Sequence, residues 1–257
     1  MNRTVILLFI CLSASALFAQ SPFHYATFRM DTSELNYRIM YPENMNKGAR
    51  YPLVLFLHGS GERDNDNEKQ LVHGSKLFIE NRSSFPAVVI FPQCRKGQSW
   101  AKLERAETPQ GLEFIYQYGT EPNSAMKMVI GLLDSILASE IIDKSRIYVG
   151  GLSMGGMGTF EILWRRPDIF AAAFPICGGG NPVFAEHYNK NLSAWVFHGA
   201  NDDVVKPSEV LGLVESMKDN IKEIKFTLYP DANHNSWDPA FAEKDLLPWL
   251  FSKSLKQ

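Results

Sequence analysis

Five short, largely apolar runs, at residues 53–57, 87–91, 146–149, 170–174 and 194–197, restrict this chain to few architectures. The first reads Leu53-Val54-Leu55-Phe56-Leu57 between Pro52 and Gly59, with no polar residue to turn toward water. A run of that kind fits a strand buried on both faces, as in a parallel sheet. Between the runs lie stretches of helical character at 68–80, 124–139, 156–165, 208–219 and 241–254. Strand and helix alternating along the chain predict an α/β domain, a mostly parallel central sheet with helices on both faces. Ahead of this pattern, residues 25–30 and 35–41 have strand character and flank Asp31-Thr32-Ser33, which predicts an antiparallel N-terminal hairpin. No internal repeat or linker interrupts the remainder, so residues 20–257 are expected to form one domain.

Residues 1–19 have a different grammar. A basic start at Asn2-Arg3, an apolar run over residues 5–12 and small residues ending at Ala19 have the layout of a secretory signal peptide. The apolar stretch is shorter than the roughly 20 residues a bilayer core requires, which favours a cleaved leader over an anchor. Ile10, where a lipoprotein signal needs a small residue before Cys11, argues the same way. The expected product is secreted or periplasmic, with no stable membrane insertion once the leader is removed. A net charge of −2 supplies no field for nucleic acid. Without the leader the thiols are Cys94 and Cys177, too few for a disulfide framework, and both are expected to be free.

One connection is long. Residues 92–123 separate a predicted strand from its helix, where two to six residues are usual. This segment carries Trp100, Phe114, Tyr116 and Tyr118, and a short element of its own is expected near 112–118. No segment is long enough for a large lid domain.

The sharpest chemical signal is Gly151-Leu152-Ser153-Met154-Gly155, which follows the predicted strand at 146–149 and precedes a predicted helix. Gly-x-Ser-x-Gly alone arises by chance in roughly one chain in ten of this length. Its placement between strand and helix is what makes it a nucleophile elbow: small residues let the chain reverse, and the Ser153 hydroxyl is thrust out above the sheet. A serine hydroxyl attacks well only if a base takes its proton, so a carboxylate and a histidine should follow in that order. They do, in His198-Gly199-Ala200-Asn201-Asp202-Asp203 after the run at 194–197, and in Asp231-Ala232-Asn233-His234 after strand-like residues 225–229. Both lie at carboxyl ends of strands, where open α/β sheets bind ligands. Spacing does not choose between Asp202 and Asp203. Among the other histidines His187 is the one rival, but it stands between two strands rather than after the last.

Attack on a carbonyl creates an oxyanion that needs two aimed backbone N–H groups. Met154, next to the nucleophile, is one expected donor; Ser60, in the turn His58-Gly59-Ser60-Gly61 after residues 53–57, is the other.

With these residues in place the chain resembles compact carboxylesterases of the α/β-hydrolase superfamily, a group that includes dienelactone-hydrolase-like enzymes, feruloyl and acetyl xylan esterases and predicted peptidases. The resemblance rests on the run from His58 to Arg63, on Pro92-Gln93-Cys94 leading to Trp100, on the elbow at Ser153, on Ile176-Cys177-Gly178-Gly179-Gly180, on His198-Gly199-x-x-Asp202, and on His234-Asn235-Ser236-Trp237. It implies the α/β-hydrolase fold, Asp202 as the acid, and an acyl-enzyme mechanism with neither metal nor organic cofactor. The implied partner is a small-molecule or polysaccharide-linked ester. Asp64 departs from the pattern, since the family continues with glycine after the Glu-Arg pair. By the same resemblance Trp100 and Trp237 are expected to wall the substrate cleft, where rigid aromatic faces suit an aromatic acyl group or a sugar ring.

Overall fold

Alternate residues of each central strand enter opposite hydrophobic layers. Leu53, Leu55 and Leu57 join one cluster while Val54 and Phe56 join the other. Ile147 and Val149 likewise oppose Tyr148. This period of two is why the run at 53–57 contains no polar position: each side chain has a helix layer to pack against. The computed structural model describes residues 21–109 and 111–255; the leader expected over residues 1–19 lies outside them.

The sheet has eight strands, β1 (His24–Met30), β2 (Ser33–Met40), β3 (Tyr51–Leu57), β4 (Val88–Pro92), β7 (Ile142–Leu152), β8 (Ala172–Ile176), β9 (Ser193–Gly199) and β10 (Glu223–Tyr229), with β5 (Leu103–Thr108) and β6 (Gly111–Tyr116) forming a separate hairpin. The order across the large sheet is β1-β2-β4-β3-β7-β8-β9-β10. β1 and β2 form the expected antiparallel hairpin, β2 runs antiparallel to β4, and all other neighbours are parallel. Helices α2 (Ser124–Leu137), α3 (Met154–Arg165) and α4 (Ser208–Asn220) cover one face; α1 (Ser75–Glu80), α5 (Trp237–Ala242) and α6 (Leu246–Phe251) cover the other. Because β4 lies on one side of β3 and β7 on the other, the chain changes its direction of travel across the sheet between β3 and β7. Their carboxyl ends are a topological switch point, where such folds open a crevice.

Two predicted helices are broken. The stretch 68–80 is a 3₁₀ turn, Lys69–Leu71, followed by α1, interrupted at Gly74, where φ is 82°. The stretch 241–254 is replaced by α5 and α6, because a continuous helix would place Pro248 in its interior with no N–H to donate; restarting at Leu246 brings Pro248 into a first turn. The strand expected at 170–174 lies two residues later, in β8. In the long connection, the hairpin begins nine residues earlier than the element expected near 112–118, and its first strand carries Glu104, Arg105 and Glu107, which hide its periodicity. Cys94 and Cys177 are buried and unbridged. Among the described residues no helix is long and apolar enough to cross a membrane.

Candidate active site

β7 ends at Leu152 and α3 begins at Met154, so Ser153 alone makes the reversal. Its φ of 53° and ψ of −117° lie outside the comfortable regions for a residue with a side chain, a conformation that costs on the order of 1–3 kcal/mol. The surroundings hold it there: Ser153 donates its N–H to the Ile176 carbonyl at 2.9 Å. A methyl group on Gly155 would lie 1.8 Å from the Leu57 carbonyl oxygen, and one on Gly151 2.6 Å from the same atom, so both flanking glycines are required by the close approach of β3.

The Ser153 hydroxyl lies 2.9 Å from Nε2 of His234, and Nδ1 of His234 lies 2.8 and 3.0 Å from Oδ2 and Oδ1 of Asp202. An ionised carboxylate can only accept, so Nδ1 carries the proton, and Nε2 is left to accept from the serine. Asp202 is buried and also accepts the N–H groups of Val204 at 3.0 Å and Val205 at 2.9 Å. Burial pushes its carboxyl up, but hydrogen bonds from His198, His234 and Val205 outweigh this and hold it well below the usual carboxylate range. Asp203 is exposed. The structure therefore brings Asp202, not its neighbour, to the imidazole. His187, the rival histidine, stacks on Tyr118 and bonds its hydroxyl at 2.6 Å instead.

His198 is a residue that sequence reading passed over as the end of a strand. Fully buried, it lies 2.8 Å from the Val205 carbonyl and 3.4 Å from Asp202 through Nε2, and so braces the loop that presents the carboxylate. The signal for it was its place four residues before Asp202, in the His198-Gly199-x-x-Asp202 turn.

Ser60 opens a 3₁₀ turn, Ser60–Glu62, just past β3, and Met154 is the first residue of α3 just past β7. Backbone N–H groups at such positions have no intrahelical acceptor. Since β3 and β7 are adjacent, with Leu57 opposite Gly151, both expected donors stand at the switch point beside Ser153.

Trp100 requires a correction. It is 0% exposed and does not wall a cleft. Its indole N–H donates to the His58 carbonyl at 3.0 Å, its ring meets the His58 ring edge-on at 5.2 Å, and its Cβ would lie 2.4 Å from a methyl group placed on Gly158 of α3. The reason is the size of indole: it gains most from full burial, provided its N–H finds an acceptor. His58 completes this support. Its Nε2 accepts the Cys94 N–H at 2.9 Å and its Nδ1 lies 2.6 Å from the Gly59 carbonyl, so the ring is neutral with the proton on Nδ1. Burial pushes its pKa from 6.5 down to about 4. Trp100 and His58 thus clamp the turn carrying Ser60 from beneath.

Trp237 is half-buried and meets His234 edge-on at 5.7 Å, with His73 on another side at 5.3 Å. Of the two tryptophans singled out in the sequence, it alone touches the candidate base. Among the described residues no group of three or more His, Cys, Asp or Glu side chains could hold a metal ion.

The chain is similar to several known proteins. A thermostable esterase of known structure superposes with a TM-score of 0.79 at 33% identity, over 91% of this chain and 64% of that one. A bifunctional acetylxylan esterase/xylanase of Neocallimastix patriciarum is 27% identical over 174 residues, which is 68% of this chain and 22% of that protein. Dipeptidyl peptidase 8 of Mus musculus is 26% identical over 190 residues, 72% of this chain and 18% of that protein. The chain thus spans about a fifth of the length of those two enzymes. Residues 44–244 match the model of the phospholipase/carboxylesterase family, so this chain belongs to that family.

Proposed function

We propose that the protein is an exported esterase that cleaves small or carbohydrate-linked esters, such as acetyl or feruloyl groups on plant polysaccharide, through an acyl-enzyme on Ser153. The observation that carries this is the continuous relay from Ser153 Oγ through His234 to Asp202. In the acylation step the Ser153 oxygen attacks the ester carbonyl and its proton passes to Nε2 of His234. The imidazolium so formed stays against Asp202, whose low pKa keeps it ionised. The N–H groups of Ser60 and Met154 hold the oxyanion, the interaction that strengthens most in the transition state. As the tetrahedral species collapses, His234 returns the proton to the departing alcohol. Water then attacks the acyl-enzyme with His234 again as base, releasing the acid and restoring Ser153.

The leader-like residues 1–19 support export, which N-terminal sequencing of protein recovered outside the cytoplasm would check. The ester reading is tested by a panel of p-nitrophenyl acetate, methyl ferulate, acetylated xylan and a peptide, each compared with Ser153→Ala. Turnover of the esters that the variant loses is the expected result, and peptide turnover exceeding every ester would overturn it. A peptidase is the second reading, favoured by the likeness to dipeptidyl peptidase 8 over 72% of this chain. The same relay serves both bonds, but an amide demands firmer protonation of its leaving group.

A further inference from the structure

On the same edge of the sheet as Ser153, a cavity of about 400 Å³ opens between the hairpin β5–β6, the turn after β8 and the start of α4. The segments that line it adjoin those that carry the candidate site. Gly178, in that turn, packs against Gly156 in the first turn of the nucleophile helix, and α4 begins six residues after Asp202. The volume falls within the range typical of small-molecule sites.

The lining combines aromatic faces with polar groups. Phe114 and Tyr116, two residues apart and so on one face of β6, place their rings 6.4 Å apart. Asn181, Ser208 and Glu209 also line the cavity. The Tyr116 side chain is more than nine-tenths buried, and its hydroxyl, lying against Gly179, which also meets Glu209, has no hydrogen-bond partner among the described residues. That hydroxyl is closed off by Gly179 and is not a group that a ligand in the cavity reaches. Burial also pushes the Glu209 carboxyl up, against a hydrogen bond from the Phe114 N–H, so a half-buried carboxyl group is held at the cavity wall.

We propose that this cavity is a sugar-binding subsite that receives a glycosyl ring of the alcohol part of the substrate, an inference that rests on the carbohydrate-ester reading of Ser153. Aromatic faces suit the C–H faces of a pyranose, while a carboxylate accepts from its hydroxyls. A planar aromatic acyl group or an alkyl chain would set an apolar surface against the half-buried Glu209 carboxyl, which argues against either as occupant.

Two measurements test the subsite and keep it separate from the ester reading. First, unesterified xylotetraose is titrated into Ser153→Ala protein by calorimetry. Binding is expected, weakened on the order of tenfold by Glu209→Gln. It should be abolished by Ser208→Trp, which fills the cavity from an exposed position and so spares the core. No binding, or binding that neither substitution alters, would overturn the subsite whatever the enzyme cleaves. Second, kcat/KM for acetylated xylotetraose is divided by that for p-nitrophenyl acetate. Ser208→Trp is expected to lower this ratio on the order of tenfold. A ratio left unchanged while wild type cleaves both esters would refute the subsite and leave the esterase reading standing. If only p-nitrophenyl acetate is cleaved, the carbohydrate-ester reading fails, and the titration still decides the cavity.

Discussion

Mild acid should destabilise this protein through one residue, His58, which lies beneath the proposed oxyanion turn rather than in the proton relay. The ring is 1% exposed, and its Nε2 accepts the Cys94 N–H, so a proton there would break a hydrogen bond and bury a charge. Burial accordingly brings its pKa from 6.5 to about 4 in the folded chain. Between these values the unfolded chain binds the proton and the native chain does not. Stability is therefore complete above about pH 6.5 and falls as the pH descends toward 4. At 1.36 kcal/mol for each tenfold change in proton affinity, the loss over this window is about 3 kcal/mol. Asp202 does not add to it. Its carboxyl is depressed in the folded state, so the stability it contributes is lost only at pH values below the ordinary carboxylate range. The assay is urea unfolding at a series of pH values from 7.5 to 4 in wild type and in His58→Gln, whose amide oxygen can still accept but does not titrate. The wild type should lose about 3 kcal/mol more than the variant across the window. Parallel pH profiles would refute the reasoning and assign the acid sensitivity to other groups.

Further outcomes bear on the site itself. Ser153→Ala and His234→Ala should each lower ester turnover by several powers of ten without lowering the melting temperature, as loss of one member of such a unit does; a purified Ser153→Ala protein with wild-type activity would remove Ser153 from the chemistry. Asp202→Asn should cripple kcat while Asp203→Asn leaves it within about twofold, since only the buried carboxylate meets the imidazole; the reverse pattern would transfer the role. Trp100→Phe removes the bond to the His58 carbonyl and should lower unfolding free energy by about 1–3 kcal/mol, with kcat/KM falling in parallel on methyl ferulate and p-nitrophenyl acetate. A loss confined to the ferulate would return Trp100 to the cleft wall.

Much of the fold was legible because burial on both faces leaves a local trace. Residues 53–57 fit a strand because a short apolar run between Pro52 and Gly59 leaves no polar face to turn outward, and 147–149 repeat the pattern after Arg146. Where burial is one-sided the trace fades: Glu104, Arg105 and Glu107 make β5 look like a loop, although it pairs fully with β6. Helix ends were misread where a single residue decides. Gly74 and Pro248 each break a helix whose apolar periodicity continues past them, and periodicity alone weighs every residue equally.

The relay was legible for a different reason. Its three members follow strand ends, and chemistry fixes the residue types at those positions. Its supports were not, because they are joined by contacts between distant segments: Trp100 reaches His58 across 42 residues, and Cys94 reaches the same ring across 36. An aromatic residue in a long loop predicts burial against something, but not which face of the site it braces. The pairing of β3 with β7 could nonetheless have been argued from function. An oxyanion formed at Ser153 must reach donors in two turns at once, and the only other glycine-rich turn that follows a buried strand early in the chain is His58-Gly59-Ser60-Gly61. If both turns serve one oxygen atom, the strands feeding them must be neighbours. That places the crossover, and hence the switch point of the sheet, between β3 and β7, where the structure has it.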